Sequence, residues 1–138
     1  MTDWTARVLS ILRIITSLLF LEHATMKFLQ FPAPIPGVTY PLPAIMIVAG
    51  AIEVVTGALM TVGLFTRVAA FIASGEMAAA YFMAHAPQSF WPAINMGEPA
   101  ILFCFIFLYL AFAGGGAWAL DRARSRTAEQ AKPRFGDA

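Results

Sequence analysis

Four apolar stretches, each near 20 residues, occupy most of the chain, at roughly residues 7–29, 42–64, 67–86 and 97–120. A hydrocarbon layer about 30 Å thick is crossed by about 20 helical residues. Backbone N–H and C=O groups in lipid must be satisfied within the segment, which selects helices. None of the stretches alternates apolar and polar residues as a membrane β-barrel strand does. Four such segments joined by short loops define an all-α chain, an integral membrane four-helix bundle. The charge content agrees: 12% of residues are charged, about half the share usual in soluble domains. The first stretch resembles a signal peptide only in position. Arg13 interrupts it, no small-residue cleavage site follows, and three further stretches come after it.

Charge placement orients the bundle. Of nine Lys and Arg residues, Arg7 and Arg13 lie in the start of the first stretch, and Arg67 follows the second. Arg122, Arg124, Arg126, Lys132 and Arg134 follow the last. The other two connections, 30–41 and 87–96, carry no charge. The positive-inside rule therefore places both termini and the 63–67 turn in the cytoplasm. The neutral loops QFPAPIPGVTYP and HAPQSFWPAINM lie outside, the second with Phe90 and Trp91 at the depth of an aromatic belt. Residues 1–121 read as one domain. Residues 122–138 read as a basic, disordered tail able to touch anionic lipid. A net charge of +1 gives no reason to expect a nucleic-acid partner.

Ionisable side chains inside a span cost at least about 2.5–3.5 kcal/mol at mid-depth and normally face the interior in pairs. In the first span, Arg13, Thr16, Ser17, Phe20, His23 and Lys27 follow the 3-4 step of one face, with Glu22 turned aside. The second span carries Gly50, Glu53, Gly57 and Thr61 as a small, polar stripe suited to close helix contact. The third carries Ser74, Gly75 and Glu76, with His85 at its outer end. The fourth carries Glu98, Phe105, Tyr109, Phe112 and Gly116 on roughly one side. Glu53 and Glu76 fall near mid-membrane; His23, Lys27, His85 and Glu98 fall in its outer part. Lys27 and His23 are expected to meet the glutamates across the bundle, because a carboxylate beside an ammonium stays ionised and one left alone takes up a proton. Simpler readings stand beside these. Lys27, Glu22 and Arg13 are also placed to snorkel to a surface, and Glu98 follows Asn95 at the offset of a capping box. Glu53 and Glu76 have no such route to water.

Several chemistries are missing. No nucleophile elbow, phosphate loop or dense metal-ligand motif occurs. His23 and His85 lack supporting spacing, so haem is not expected, and no metal site is expected. Cys104 is the single cysteine and has no thiol partner in the chain. No covalently held cofactor is expected, and a redox role would need a borrowed carrier.

The pattern R-I-I-T-S-L-L-F-L-E-H-A-T-M-K-F in the first span, E-V-V-T-G-A-L-M-T-V-G-L-F-T-R across the second, N-M-G-E-P-A-I-L-F into the fourth and G-G-G-A-W-A-L-D after it resembles the DoxX family of bacterial membrane proteins. The resemblance covers about residues 7–121, with alanine at position 24 where the family pattern has glycine. Its motif positions are His23, Lys27, Glu53, Gly57, Gly63, Arg67, Asn95, Glu98 and Asp121. Glu22 and Glu76 stand on the placement argument alone. The resemblance implies a multi-pass protein of the bacterial inner membrane, linked to quinone-dependent oxidation of sulfur compounds and to complexes that handle oxidative stress.

Three functions are compatible with these residues. The first is a membrane component of a redox system that binds a quinone or other amphipathic molecule between its helices, working with a soluble or membrane redox partner. Glu53, Glu76 and Lys27, with His23, Glu98 and Glu22 as further candidates, would bind it or exchange protons. Any catalysis would be that of a subunit of a quinone-linked oxidoreductase. The second is a non-enzymatic anchor or assembly partner, packed through Gly50, Gly57 and Gly116. The third is transport of a small solute or protons, which in so small a chain requires a homo-oligomer.

Overall fold

The computed structural model describes residues 3–130. Its first helix, α1 (Asp3–Leu29), runs 27 residues, about 40 Å at 1.5 Å per residue. α2 (Ala44–Val62) has 19 residues. It ends in a Schellman turn, with Gly63 at φ 75° and with the Leu64 and Gly63 N–H groups donating to Leu59 and Met60 at 2.9 and 3.1 Å. α3 (Thr66–Ala80) continues without a break into a π-helical turn, Tyr81–His85. A single turn, α4 (Pro92–Asn95), leads into α5 (Glu98–Ala113), and α6 (Leu120–Gln130) follows. The described residues are all-helical, with no strand.

Two departures from the expected boundaries stand out. The fourth apolar stretch does not continue to residue 120. Gly114, at φ 86°, stops α5 at Ala113, and Gly116, at φ 80°, turns the chain back against α1. A β-carbon on Gly116 would stand 2.6 Å from the Ala6 carbonyl oxygen and 2.8 Å from the Ser10 nitrogen. Only glycine combines this backbone with so close an approach. The tail was expected to be disordered; instead α6 carries it as helix to Gln130. Residues 131–138 lie outside the described residues.

Packing runs α1 on α2, α2 on α3 and α3 on α5, while α1 touches α5 only lightly. The buried core holds Leu9, Phe20, Met60, Ala69, Ala70, Ala73, Met77, Phe107 and Leu110. Ala69, Ala70 and Ala73 give α3 a small face, and small residues let helix backbones approach closely. Phe20 and Phe107 fill the resulting centre with ring centroids 4.8 Å apart, edge to face. Such a pair contributes about 0.5–1.5 kcal/mol beyond its buried area.

The outer surface is apolar. α1 and α2 are both long and hydrophobic enough to cross a membrane, yet only 39% and 28% of their most apolar windows are buried. A core helix of a soluble domain hides its apolar residues; here Val8, Ile15, Leu19, Val48, Val55, Phe71 and Phe105 all face outward. The α5 stripe of Phe105, Tyr109 and Phe112 is part of this outward surface, while Ala100, Phe107 and Leu110 supply its buried side.

Candidate functional site

Lys27 and Glu53 meet inside the helices. Lys27 lies in the last turn of α1, on the face that also buries Phe20 and Ala24. Glu53 lies on α2, one turn after Gly50. The missing side chain at Gly50 makes the space: a β-carbon there would stand 3.2 Å from Lys27 Cδ and 2.7 Å from the Phe28 ring. Through this gap Lys27 Nζ donates to both Glu53 oxygens, at 2.6 and 2.8 Å. Glu53 is 2% exposed. Two hydrogen bonds to an opposite charge offset part of the cost of removing both ions from solvent.

Glu76 is the third member. It reaches the same region from α3, within electrostatic range of both Glu53 and Lys27. Both of its carboxyl oxygens are buried and meet no hydrogen-bond partner among the described residues. A buried carboxyl without a partner forfeits about 1–3 kcal/mol or more. Such groups concentrate where a ligand or a proton is handled. The neighbouring Ser74 turns the other way, donating to the Cys104 carbonyl of α5 at 2.9 Å.

The remaining sequence candidates lie elsewhere. His23 does not join the glutamates: it is exposed, its ring edge-on to Phe103 at 5.8 Å. The helix turns between it and Lys27 so that Ala24, not His23, takes the buried position. Glu22 is exposed on the far side of α1. Glu98 is exposed as well, and the expected capping box is absent. Gly97 is the N-cap of α5, and Asn95 Oδ1 instead accepts from the Gly97 N–H at 2.8 Å. Asn95 also donates to the Ser89 carbonyl, and its own carbonyl meets His85 Nδ1 at 2.9 Å. This knot ties the 86–97 loop to the end of α3. Gly57 packs against Leu21 and Phe20, where a β-carbon would stand 2.8 Å from Leu21 Cγ.

A second polar cluster lies at the opposite end. Arg13 does not snorkel; it is 0% exposed. Its guanidinium donates to the Gly115 carbonyl at 2.8 Å, to Thr61 at 2.7 Å, to Met60, and to Trp118 at 3.4 Å. Met60 and Thr61 close the last turn of α2, where free carbonyls and the helix dipole favour a cation. Asp121 works in the reverse sense. Its oxygens accept the Phe65 and Thr66 N–H groups, both at 2.8 Å, at the start of α3. Burial pushes the Asp121 carboxyl up, but the Thr66 and Phe65 N–H groups, with Arg124 nearby, outweigh it and hold it below the usual carboxylate range. Arg67 donates to the Ala111 and Phe112 carbonyls at 3.2 and 2.6 Å, at the end of α5. A cavity of about 610 Å³ opens beside these groups, bordered by Arg67, Gly114, Asp121 and Arg122. The periodicity of α1 already put Arg13 on the buried face; what it lacked was the knowledge that four carbonyls converge there.

An all-helical chain with apolar outer faces, an internal Lys–Glu pair and an unpartnered acid beside it has the character of a small membrane protein with a polar interior. The comparisons with known proteins agree. Residues 8–86, from α1 through the end of the π-helical turn, match the DoxX family model. Over 120 residues the chain is 46% identical to an uncharacterized protein of Haemophilus influenzae, across 82% of this chain and 87% of that one. No solved structure matches. The chain belongs to the DoxX family, and the matched region contains Arg13, Lys27, Glu53 and Glu76.

Proposed function

We propose that the chain is a four-span protein of the bacterial inner membrane, with both ends cytoplasmic, that serves as the membrane component of a redox system. The spans are α1, α2, α3 with its π-helical turn, and α5. Support for the orientation comes from the Lys and Arg count on either side. In this reading the polar interior takes the head of a quinone-like molecule that enters between the helices. Lys27 and Glu53 hold each other in place. Glu76 offers its free carboxyl oxygens to a carbonyl or phenol and passes the proton that accompanies electron transfer. The electron chemistry belongs to the carrier and to a partner protein, and this chain supplies orientation and electrostatics.

The observation that carries the reading is Glu76, a buried carboxyl with no partner beside a closed ion pair. Its test is mass spectrometry of organic extracts from protein purified in mild detergent, comparing the natural chain with Glu76→Gln and Glu76→Leu. The expected result is a quinone-like molecule near one per chain, depleted in Glu76→Leu. Equal and negligible enrichment in all three would refute it and leave the anchor function.

A further inference from the structure

Glu22 is exposed and projects away from the other helices, with its neighbour His23 within electrostatic range. It follows Arg13 by nine residues, about two and a half helical turns, so it projects from the side of α1 opposite the buried face. Its neighbours on that side, Ile15, Leu18 and Leu19, are all exposed. It also precedes the end of α1 at Leu29 by seven residues, about 10 Å along the axis. That is more than a glutamate side chain covers. Under the membrane reading above, this leaves an acid in the lipid-facing stripe.

The stripe has a regular spacing. Val8, Leu12, Ile15, Leu19, Glu22, Met26 and Leu29 recur at alternating steps of four and three, the spacing of a heptad seam. Six positions are apolar, and Glu22 is the exception. His23, the next residue, flanks the seam at the same depth and is also exposed. Acid in the seam with imidazole at its flank is self-complementary: a two-fold axis along the seam sets each Glu22 within reach of the partner's copy of His23. A single polar residue at a seam position sets register and chain number in coiled coils.

We infer that the outer face of α1 is the interface of a parallel homodimer, with α1 packed on α1 and Glu22 and His23 exchanged across the two-fold axis. The occupant is a second copy because one face carries both halves of the polar pair. The outward stripes of α2 and α5 carry no Asp, Glu, His, Lys or Arg within the helix body.

The test uses the full chain in lipid vesicles, with Cys104→Ser as background. Oxidative cross-linking of Ile15→Cys or Leu19→Cys should give a dimer, whereas Val55→Cys on the exposed face of α2 should not. Energy transfer between labelled copies, measured against lipid dilution, should show association weakened about tenfold in Glu22→Leu, the scale of one hydrogen bond between membrane helices. Glu22→Gln, which keeps a hydrogen-bonding group, should weaken it less. Because Glu22 is exposed within one copy, the leucine variant should fold. Equal cross-linking at Val55→Cys, a monomeric natural chain, or unchanged association in Glu22→Leu would each overturn the dimer. None of these outcomes depends on whether a quinone is bound.

Discussion

Replacing Lys27 by methionine should be among the most damaging single changes in the chain. Its ammonium stands 2.6 and 2.8 Å from the two Glu53 oxygens, and the two side chains are 10% and 3% exposed. At that separation, with an effective dielectric of about 20, the attraction is ~6 kcal/mol. Desolvating the two ions costs several kcal/mol each, so the pair as a whole is close to neutral for stability. Removing one partner is different, because the cost of burial stays and the attraction goes. Lys27→Met should therefore destabilise by about 3–5 kcal/mol. Lys27→Met with Glu53→Leu, which removes both charges, should recover most of that loss. The assay is reversible unfolding in mixed micelles for the natural chain, the two single variants and the double. A Lys27→Met cost below about 1 kcal/mol, or a double variant as unstable as the sum of the singles, would show that the pair is not the desolvated contact described above.

Other predictions follow from the Arg13 and Asp121 cluster and the glycines. Arg13→Leu should cost at least about 3 kcal/mol, since the carbonyls of Gly115, Thr61, Met60 and Trp118 all lose a charged donor; a loss under about 1 kcal/mol in the same unfolding assay would refute this. Asp121 has a depressed folded value, so its contribution is complete above the ordinary carboxylate range and fades as pH falls through that lower value. Asp121→Asn should flatten the fall in stability as pH drops below the ordinary carboxylate range, and an unchanged slope would count against the contact with Phe65 and Thr66. At Gly63, φ is positive and a β-carbon would stand 2.6 Å from Ala119 Cα, while Gly75 has nothing within 4 Å. Gly63→Ala should destabilise by more than 1 kcal/mol and Gly75→Ala should stabilise by about 0.5–1 kcal/mol, which thermal unfolding in detergent would measure.

Periodicity and composition determine much of this molecule. Apolar stretches with a 3.6-residue repeat of small and polar positions make α1, α2 and α3 helices wherever they are placed, because lipid-compatible backbone has no other economical form. The same repeat puts Arg13, Lys27 and Glu53 on inward faces. Local pattern fails where distant segments compete for the same space. His23 was read onto the polar face, but a step of three or four covers an arc wide enough to include the flank, and only the approach of α2 shows that Ala24 has the centre. Arg13 reads as a surface-seeking cation until Gly115 and Trp118, about a hundred residues later, fold back with their carbonyls. Asp121 gives no local sign that it caps a helix starting at Thr66. The sequence by itself decided that the bodies of α1, α2, α3 and α5 are helical and that Arg13, Lys27 and Glu53 turn inward, since both are set by neighbours within a few residues. Tertiary structure alone decided which charges are paired: a hydrogen bond fixes two atoms to within tenths of an ångström, and no spacing along one helix carries the position of another.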